Sequence, residues 1–232
     1  KELEEKSFYL NKGFSLTTSK SYETDLVFDK HISDPNHPVP YTQVFHPLRL
    51  FYNKEYMAED QRFASARPDV LTYKTDILTD TLTFIGPITA NLYVASTSTD
   101  YDIVVKIIDL YPDTVKKAIF DEAFTERAAY QQMVRTEIFR AKYRESYEFP
   151  EAIIPGKIIP IEIRMNDIAH SFLPGHCIMV QIQSSMFPLY DRNPQVFTNI
   201  YEADQGDFQN ASISIYRSVN YPSSVQFETI KQ

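Results

Sequence analysis

The sequence predicts an all-β protein, a two-layered β-sandwich, and three observations carry that expectation. Apolar and β-branched residues alternate with polar ones over many short runs, the period of strands with a buried face. Turns punctuate those runs at Tyr111-Pro112-Asp113, Pro155-Gly156, Pro174-Gly175 and Tyr221-Pro222-Ser223. Helical spacing is confined to a short insertion within Lys116 to Met133, where Ile119 and Ala123, and Phe120 and Phe124, stand four apart.

The elements follow in chain order. Leu71 to Thr75 is rich in β-branched and aromatic residues. Thr81 to Ile85 alternates, breaks at Gly86-Pro87, and resumes from Ile88 to Ala95. Tyr101 to Tyr111 carries Ile103, Val105 and Ile107 on one face and Val104, Ile108 and Leu110 on the other, so it reads as a central strand covered on both sides. Alternation returns after the helix at Val134 to Phe139, and again at Ile158 to Met165, His176 to Ser184, Ala211 to Tyr216 and Val225 to Ile230. The strand from His176 reads as half-buried. His31 to Pro47 has four prolines and three histidines and reads as an ordered surface loop, because proline lacks the amide donor of a sheet ladder.

Composition bounds the function. Lys plus Arg number 23 and Asp plus Glu 31, for a formal charge of −8 in 232 residues. That balance argues against nucleic acid, which needs a positive surface to displace counterions. No apolar run approaches the ~20 residues that span a bilayer as a helix, so no membrane partner is expected. The lone Cys177 cannot form an intrachain disulfide and suits a small buried hydrophobe. Lys1 to Lys6 is neither a signal peptide nor a start methionine, as if the chain were cut from something longer or began after processing.

The search for chemistry yields little. A nucleophile elbow needs Gly-Xaa-Ser-Xaa-Gly, and no two of Gly13, Gly86, Gly156, Gly175 and Gly206 stand four apart. His31 and His37 share a loop with Asp29 and Asp34, but a zinc site needs three or four converging ligands, and ordinary loop hydrogen bonding is expected. Asp100 and Asp102 suit solvent exposure and turn capping better than calcium. Glu59-Asp60 and Asp121-Glu122 are adjacent, a poor arrangement for paired acid/base work. His170 and His176 flank a turn and are expected to make turn contacts. No cofactor, metal or catalytic residue is expected. The polar cluster that stands out is Asp191, Arg192 and Asn193, an exposed turn that holds itself together and leaves Arg192 free for a bidentate contact across a domain boundary.

Several stretches resemble, in order, the C-terminal domain of the cocaine esterase-like serine hydrolases, with α-amino-acid ester hydrolases, glutaryl cephalosporin acylases and, more distantly, Xaa-Pro dipeptidyl peptidases. They are Asp60 to Tyr73, Gly86 to Asp102, Val105 to Asp113, Tyr143 to Ser146, Pro155-Gly156 and Phe172 to Pro194, within residues 8–230. Tyr130 to Arg135 is similar to the α-amino-acid ester hydrolase and glutaryl acylase branch. The resemblance implies a jelly-roll β-sandwich (galactose-binding-domain-like). Residues 1–60 would be an irregular, proline-rich segment making interdomain contacts, and 61–232 the main sandwich. It implies a partner, the α/β-hydrolase catalytic domain of the same polypeptide, which would hold the Ser, Asp and His triad upstream of this chain. A homo-oligomer is left open, and a periplasmic or secreted bacterial setting is favoured. Leu50 and Phe51 would form part of the substrate-pocket rim. The expected function is thus that of a non-catalytic domain supporting a hydrolase of esters, amides or Xaa-Pro peptides. The alternatives are a free-standing carbohydrate-binding module, which needs a groove of exposed tyrosines, and an autonomous hydrolase with an unusual triad.

Overall fold

A computed structural model of the chain describes residues 3–43, 54–113 and 128–230. Within them run eleven strands: β1 (Leu3–Asn11), β2 (Ser15–Thr17), β3 (Phe28–Ser33), β4 (Leu71–Lys74), β5 (Leu82–Ser96), β6 (Asp102–Leu110), β7 (Gln131–Arg140), β8 (Ile159–Phe172), β9 (Cys177–Gln183), β10 (Ala211–Tyr216) and β11 (Ser224–Ile230). A single α-helical turn, α1 (Arg62–Ser65), stands among the described residues.

The strands form one sheet folded on itself into a sandwich. In one layer β5 lies between β8 on one side and β11 and β10 on the other, with β1 beyond β11 and β3 beyond β10. The second layer runs β2-β4-β9-β6-β7. The short hairpin of β1 and β2 carries the chain between the layers, and at the opposite edge Arg135 donates from Nη2 to the Asp167 carbonyl at 2.6 Å.

The core is dense in rings where four strands converge. Phe8 meets Phe227 edge-on at 5.7 Å, and Phe84 stacks on Phe227 at 4.5 Å. Phe172 meets Phe84 at 5.9 Å. Inward residues of β6 and β9, among them Ile103, Val105, Ile107, Val180 and Ile182, complete the same cluster from the facing layer.

The sheet differs from the sequence-based expectation in five places. β5 is continuous through Gly86-Pro87, because a bulge there absorbs the missing proline donor. Gly86 adopts φ 106, and a Cβ would lie 2.9 Å from Glu228 Oε2. β7 begins at Gln131, three residues earlier than Val134, and the rest of the expected helix, residues 116–127, lies outside the described residues. β9 is buried at every residue rather than half-buried, since both its neighbours and the covering segments shield it. His31 is in β3 and buried, not in a surface loop. The expected irregular segment 1–60 contains three strands among its described residues, since β1, β2 and β3 are integral to the sheet; their backbone donors find partners that the prolines after Ser33 could not offer.

β6 is buried from Asp102 to Asp109, as its two apolar faces require. The inner face meets the core. Over the outer face lie residues 54–70 and the segment after β9, from Ser185 to Tyr201, and this is where the polar groups of interest collect.

Truncating Phe84 to Ala should remove the shared partner of three rings and cost about 3–5 kcal/mol, read as a lowered urea midpoint with an unchanged slope.

Candidate functional site

Asp102 and Arg140 are cross-strand partners on β6 and β7, so their side chains share one face. The guanidinium forks onto the carboxylate, Nε to Oδ1 at 2.9 Å and Nη2 to Oδ2 at 2.8 Å. Asp100, two residues before, turns inward instead of facing water. Its Oδ1 accepts from the Tyr101 and Lys142 amides at 2.9 and 3.0 Å. Asn193 bridges the two carboxylates, Nδ2 donating to Asp100 Oδ2 at 3.1 Å and to Asp102 Oδ1 at 2.8 Å, while its own Oδ1 accepts the Gln195 amide at 2.8 Å. Lys142 Nζ donates to the Thr198 carbonyl at 2.8 Å and lies 3.9 Å from Asp100. Two carboxylates and two cations are thus held together largely out of water. Burial pushes the Asp100 carboxyl up to about 6, Asp102 adds to the rise, and Asn193 and Lys142 act against it. Burial works against the charge of Arg140, but its bonds to Asp102 prevail and raise its pKa.

The turn at Asp191 to Asn193 is therefore only partly exposed. Asp191 faces solvent, but Asn193 is buried. Arg192 does not reach out of the domain. Its Nη1 donates to the Pro35 carbonyl at 2.9 Å, and its guanidinium lies 4.6 Å from the Phe208 ring and 5.6 Å from that of Phe187. The expectations for Asp100 and Asp102 and for the 191–193 turn, made separately, concern one site. The chain after β9 folds over the end of β6 and β7 and closes the two groups against each other.

Beside this hub opens a hollow of about 430 Å³, walled by Ile138, Arg140, Tyr143, Tyr147, Leu189 and Tyr190. A second, of about 580 Å³, shares Arg140 and Tyr143 and adds Phe197 and Tyr201. Tyr143 and Tyr147 stack at 5.8 Å, and Tyr147 and Tyr201 are 88% and 84% exposed.

A second polar centre lies further along β6. Lys106, fully buried, donates to Gln61 Oε1 at 2.9 Å and lies over the Phe63 ring. Its cross-strand partner Gln181 binds Gln131 through Nε2, whereas Gln181 Oε1 and Gln183 Oε1 have no partner. Burial pushes the Lys106 ammonium down to about 7, against the pull of Glu59. Glu59 itself accepts from Thr42 Oγ1 at 2.6 Å and from the Gln43 amide, while Asp60 binds Arg62. The two adjacent carboxylates serve two different loops.

Two clusters approach catalytic form and stop short. His31 Nε2 lies 2.8 Å from Ser184 Oγ, but its buried Nδ1 has no partner. Burial lowers this imidazole to about 4, with Asp69 pulling the other way. With Nδ1 unpartnered, the pair lacks the third group that orients the imidazole in a Ser-His-Asp arrangement. Asp109 accepts from His176 Nδ1 at 2.7 Å and His170 Nε2 at 2.9 Å, tying β6 to β8 and to the turn before β9. Among the described residues no serine hydroxyl bonds either imidazole. His37 pairs with Asp34 on the surface. Among the described residues no three His, Cys, Asp or Glu side chains converge as a metal site, and no helix is long and apolar enough to cross a membrane. Leu50, Phe51, Asp121 and Glu122 lie outside the described residues. Cys177 is buried as a free thiol.

Sequence comparison decides the family. Residues 2–226 match the model described as the X-Pro dipeptidyl-peptidase C-terminal non-catalytic domain. The chain belongs to that family. Cocaine esterase from Rhodococcus sp. (strain MB1 Bresler) is 34% identical over 220 residues, 95% of this chain and 35% of the esterase. The crystal structure of an aminopeptidase from the marine sediment archaeon Thaumarchaeota archaeon superposes with a TM-score of 0.91 at 35% identity, covering 99% of this chain and 37% of that one. An α-amino acid ester hydrolase gives 0.88 at 35% identity, covering 96% and 36%. The chain therefore spans a little over a third of the length of the relatives it matches.

Replacing Arg140 by Ala leaves Asp102 buried without its counter-charge and should cost about 3–5 kcal/mol, measured by urea unfolding. The two shifted groups act in separate pH windows. Asp100 has its folded pKa raised to about 6, so its contribution is full below the unfolded value of about 3.9 and is lost as pH rises through 6. Lys106 has its folded pKa lowered to about 7, so its contribution is full above the unfolded value of about 10.4 and is lost as pH falls through 7. Lys106→Met should remove the rise in stability between pH 7 and about 10 while leaving the acidic limb unchanged.

Proposed function

We propose that this domain is the non-catalytic part of a larger serine hydrolase that cleaves esters, amides or Xaa-Pro peptides, and that it supports the catalytic domain and contributes to the pocket rim. The observation that carries the proposal is coverage: nearly the whole chain aligns with a little over a third of a cocaine esterase, an aminopeptidase and an α-amino acid ester hydrolase. The remaining part of such a polypeptide would supply an α/β-hydrolase domain, whose serine forms an acyl-enzyme that water then cleaves. The weak His31–Ser184 pair accords with this division of labour. Leu50 and Phe51 are the residues proposed for the rim, adding apolar wall to the substrate pocket. A periplasmic or secreted setting belongs to the same proposal.

The chain and the full polypeptide should be assayed side by side on p-nitrophenyl esters and aminoacyl p-nitroanilides. The full polypeptide should turn over one of these in a reaction blocked by a serine-directed phosphonate, and the chain alone should turn over none. Phosphonate-sensitive turnover by the chain alone would overturn the proposal.

A further inference from the structure

We propose that the tyrosine-walled groove beside the Asp102–Arg140 pair is a binding site for a neutral oligosaccharide, a chain of linked pyranose rings. Such a site is independent of the proposed function and belongs to this domain with or without a catalytic part.

The two hollows of about 430 and 580 Å³ share Arg140 and Tyr143, so they adjoin as one elongated groove. Each falls in the range of small-ligand sites, roughly 300–1,000 Å³. Two joined compartments suit a ligand built of repeated units.

Ring surface and polar groups line the groove in comparable measure. A pyranose matches that mixture, because C–H groups cover its faces and hydroxyls surround its edge. The faces rest on aromatic rings while the hydroxyls take hydrogen bonds. Each compartment has one strongly exposed ring: Tyr147, backed by Tyr143, walls the first, and Tyr201 walls the second. Polar partners stand beside both. Among the described residues no hydrogen bond engages the hydroxyls of Tyr143, Tyr147 and Tyr190. Asp191 is exposed and spends one oxygen on a long contact, 3.4 Å, from the Tyr201 hydroxyl. Asn199 accepts the Tyr201 amide through Oδ1 at 3.2 Å, which leaves its Nδ2 as a donor.

Charge argues against an anionic ligand. Arg140 is held by Asp102, Lys142 by the Thr198 carbonyl, and Arg144 by Glu151 at 3.1 Å. Those cations are engaged, whereas Asp191, Glu145 and Glu148 are exposed.

Both walls are ordered before a ligand arrives, and Thr99 anchors the two. The Ile153 amide donates to its carbonyl and the Phe197 amide to its Oγ1, each at 2.8 Å. The Glu151 amide adds a bond to the Lys142 carbonyl at the same distance. A groove held in this way loses little freedom on binding.

The chain should be titrated calorimetrically with cellohexaose, N-acetylchitohexaose, maltohexaose, xylohexaose and mannohexaose, and with hexagalacturonate as the anionic comparison. At least one neutral oligomer should bind with a Kd below about 1 mM, and hexagalacturonate more weakly. Tyr147→Ala and Tyr201→Ala should each weaken that binding at least about tenfold while keeping the parent's urea midpoint. Tyr147→Phe, which keeps the ring, should restore most of the affinity. Tyr22→Ala, at an exposed tyrosine outside the groove, should leave it unchanged. The full polypeptide should bind the same oligomer equally well. No binding of any neutral oligomer, binding indifferent to Tyr147→Ala and Tyr201→Ala, or tighter binding of hexagalacturonate would overturn the proposal. So would binding confined to the isolated chain, because the groove would then be covered by the rest of the polypeptide. None of these results bears on the serine-hydrolase reading, which the phosphonate assay tests separately.

Discussion

The fork between Arg140 and Asp102 is the constraint on which this end of the molecule depends. It fixes the register of β6 against β7 where β6 begins and β7 ends, and it neutralises a carboxylate that burial would otherwise make very costly. Asn193 can seal the cluster only because both acceptors are already in place. Asn193 thereby ties the segment after β9 to both carboxylates, beside the bonds of Arg192 to Pro35 and of Lys142 to Thr198. From these ties follow the path of residues 186–201, the wall of the groove and the placing of Arg192 between two phenylalanine rings. A buried pair of this kind adds less to stability than to uniqueness. An apolar substitute would bind the strands as firmly, but it would not specify which residue lies opposite which.

Lys106 shows the cost of covering a central strand from outside with a polar segment. An apolar residue there would be easier to bury, yet the ammonium engages Gln61 and attracts Glu59, the residue that also holds Thr42 and Gln43. The same layer leaves the side-chain oxygens of Gln181 and Gln183 without partners. The outer face of β6 is thus a polar joint, whereas its inner face is ordinary core. The contrast explains why one strand can serve both as the centre of a sandwich and as the bed for two long covering segments.

Much of the fold was legible in the sequence, and the reasons differ by element. β10 and β11 lie within a residue of expectation because they alternate between clear turns. The two-sided apolar pattern of Tyr101 to Tyr111 correctly marked β6 as central. The failures occur where a long-range partner overrides local preference. His31 enters a strand because β10 lies beside it, and Pro87 fits inside β5 because a bulge takes up its defect. The site was legible only in part. Asp100, Asp102 and Asn193 stood out as polar groups near turns, but their mutual contact depends on pairing between segments some ninety residues apart. Arg140 and Lys106 gave no local signal, since an arginine or lysine in an alternating strand reads as solvent-facing until the covering segment is known. Family membership was legible because it depends on the order of many motifs rather than on any one contact.

The pairing of β1 with β11 has a consequence for how the molecule comes into being. Tyr9 lies opposite Ser224, so an early strand waits for almost the last one before its backbone is satisfied. Until then Phe8 lacks its ring contact with Phe227, and the layers cannot close over their shared interior. Assembly of this sheet is accordingly a late, long-range event. While this domain is being synthesised, its seam stays open until β11 has emerged.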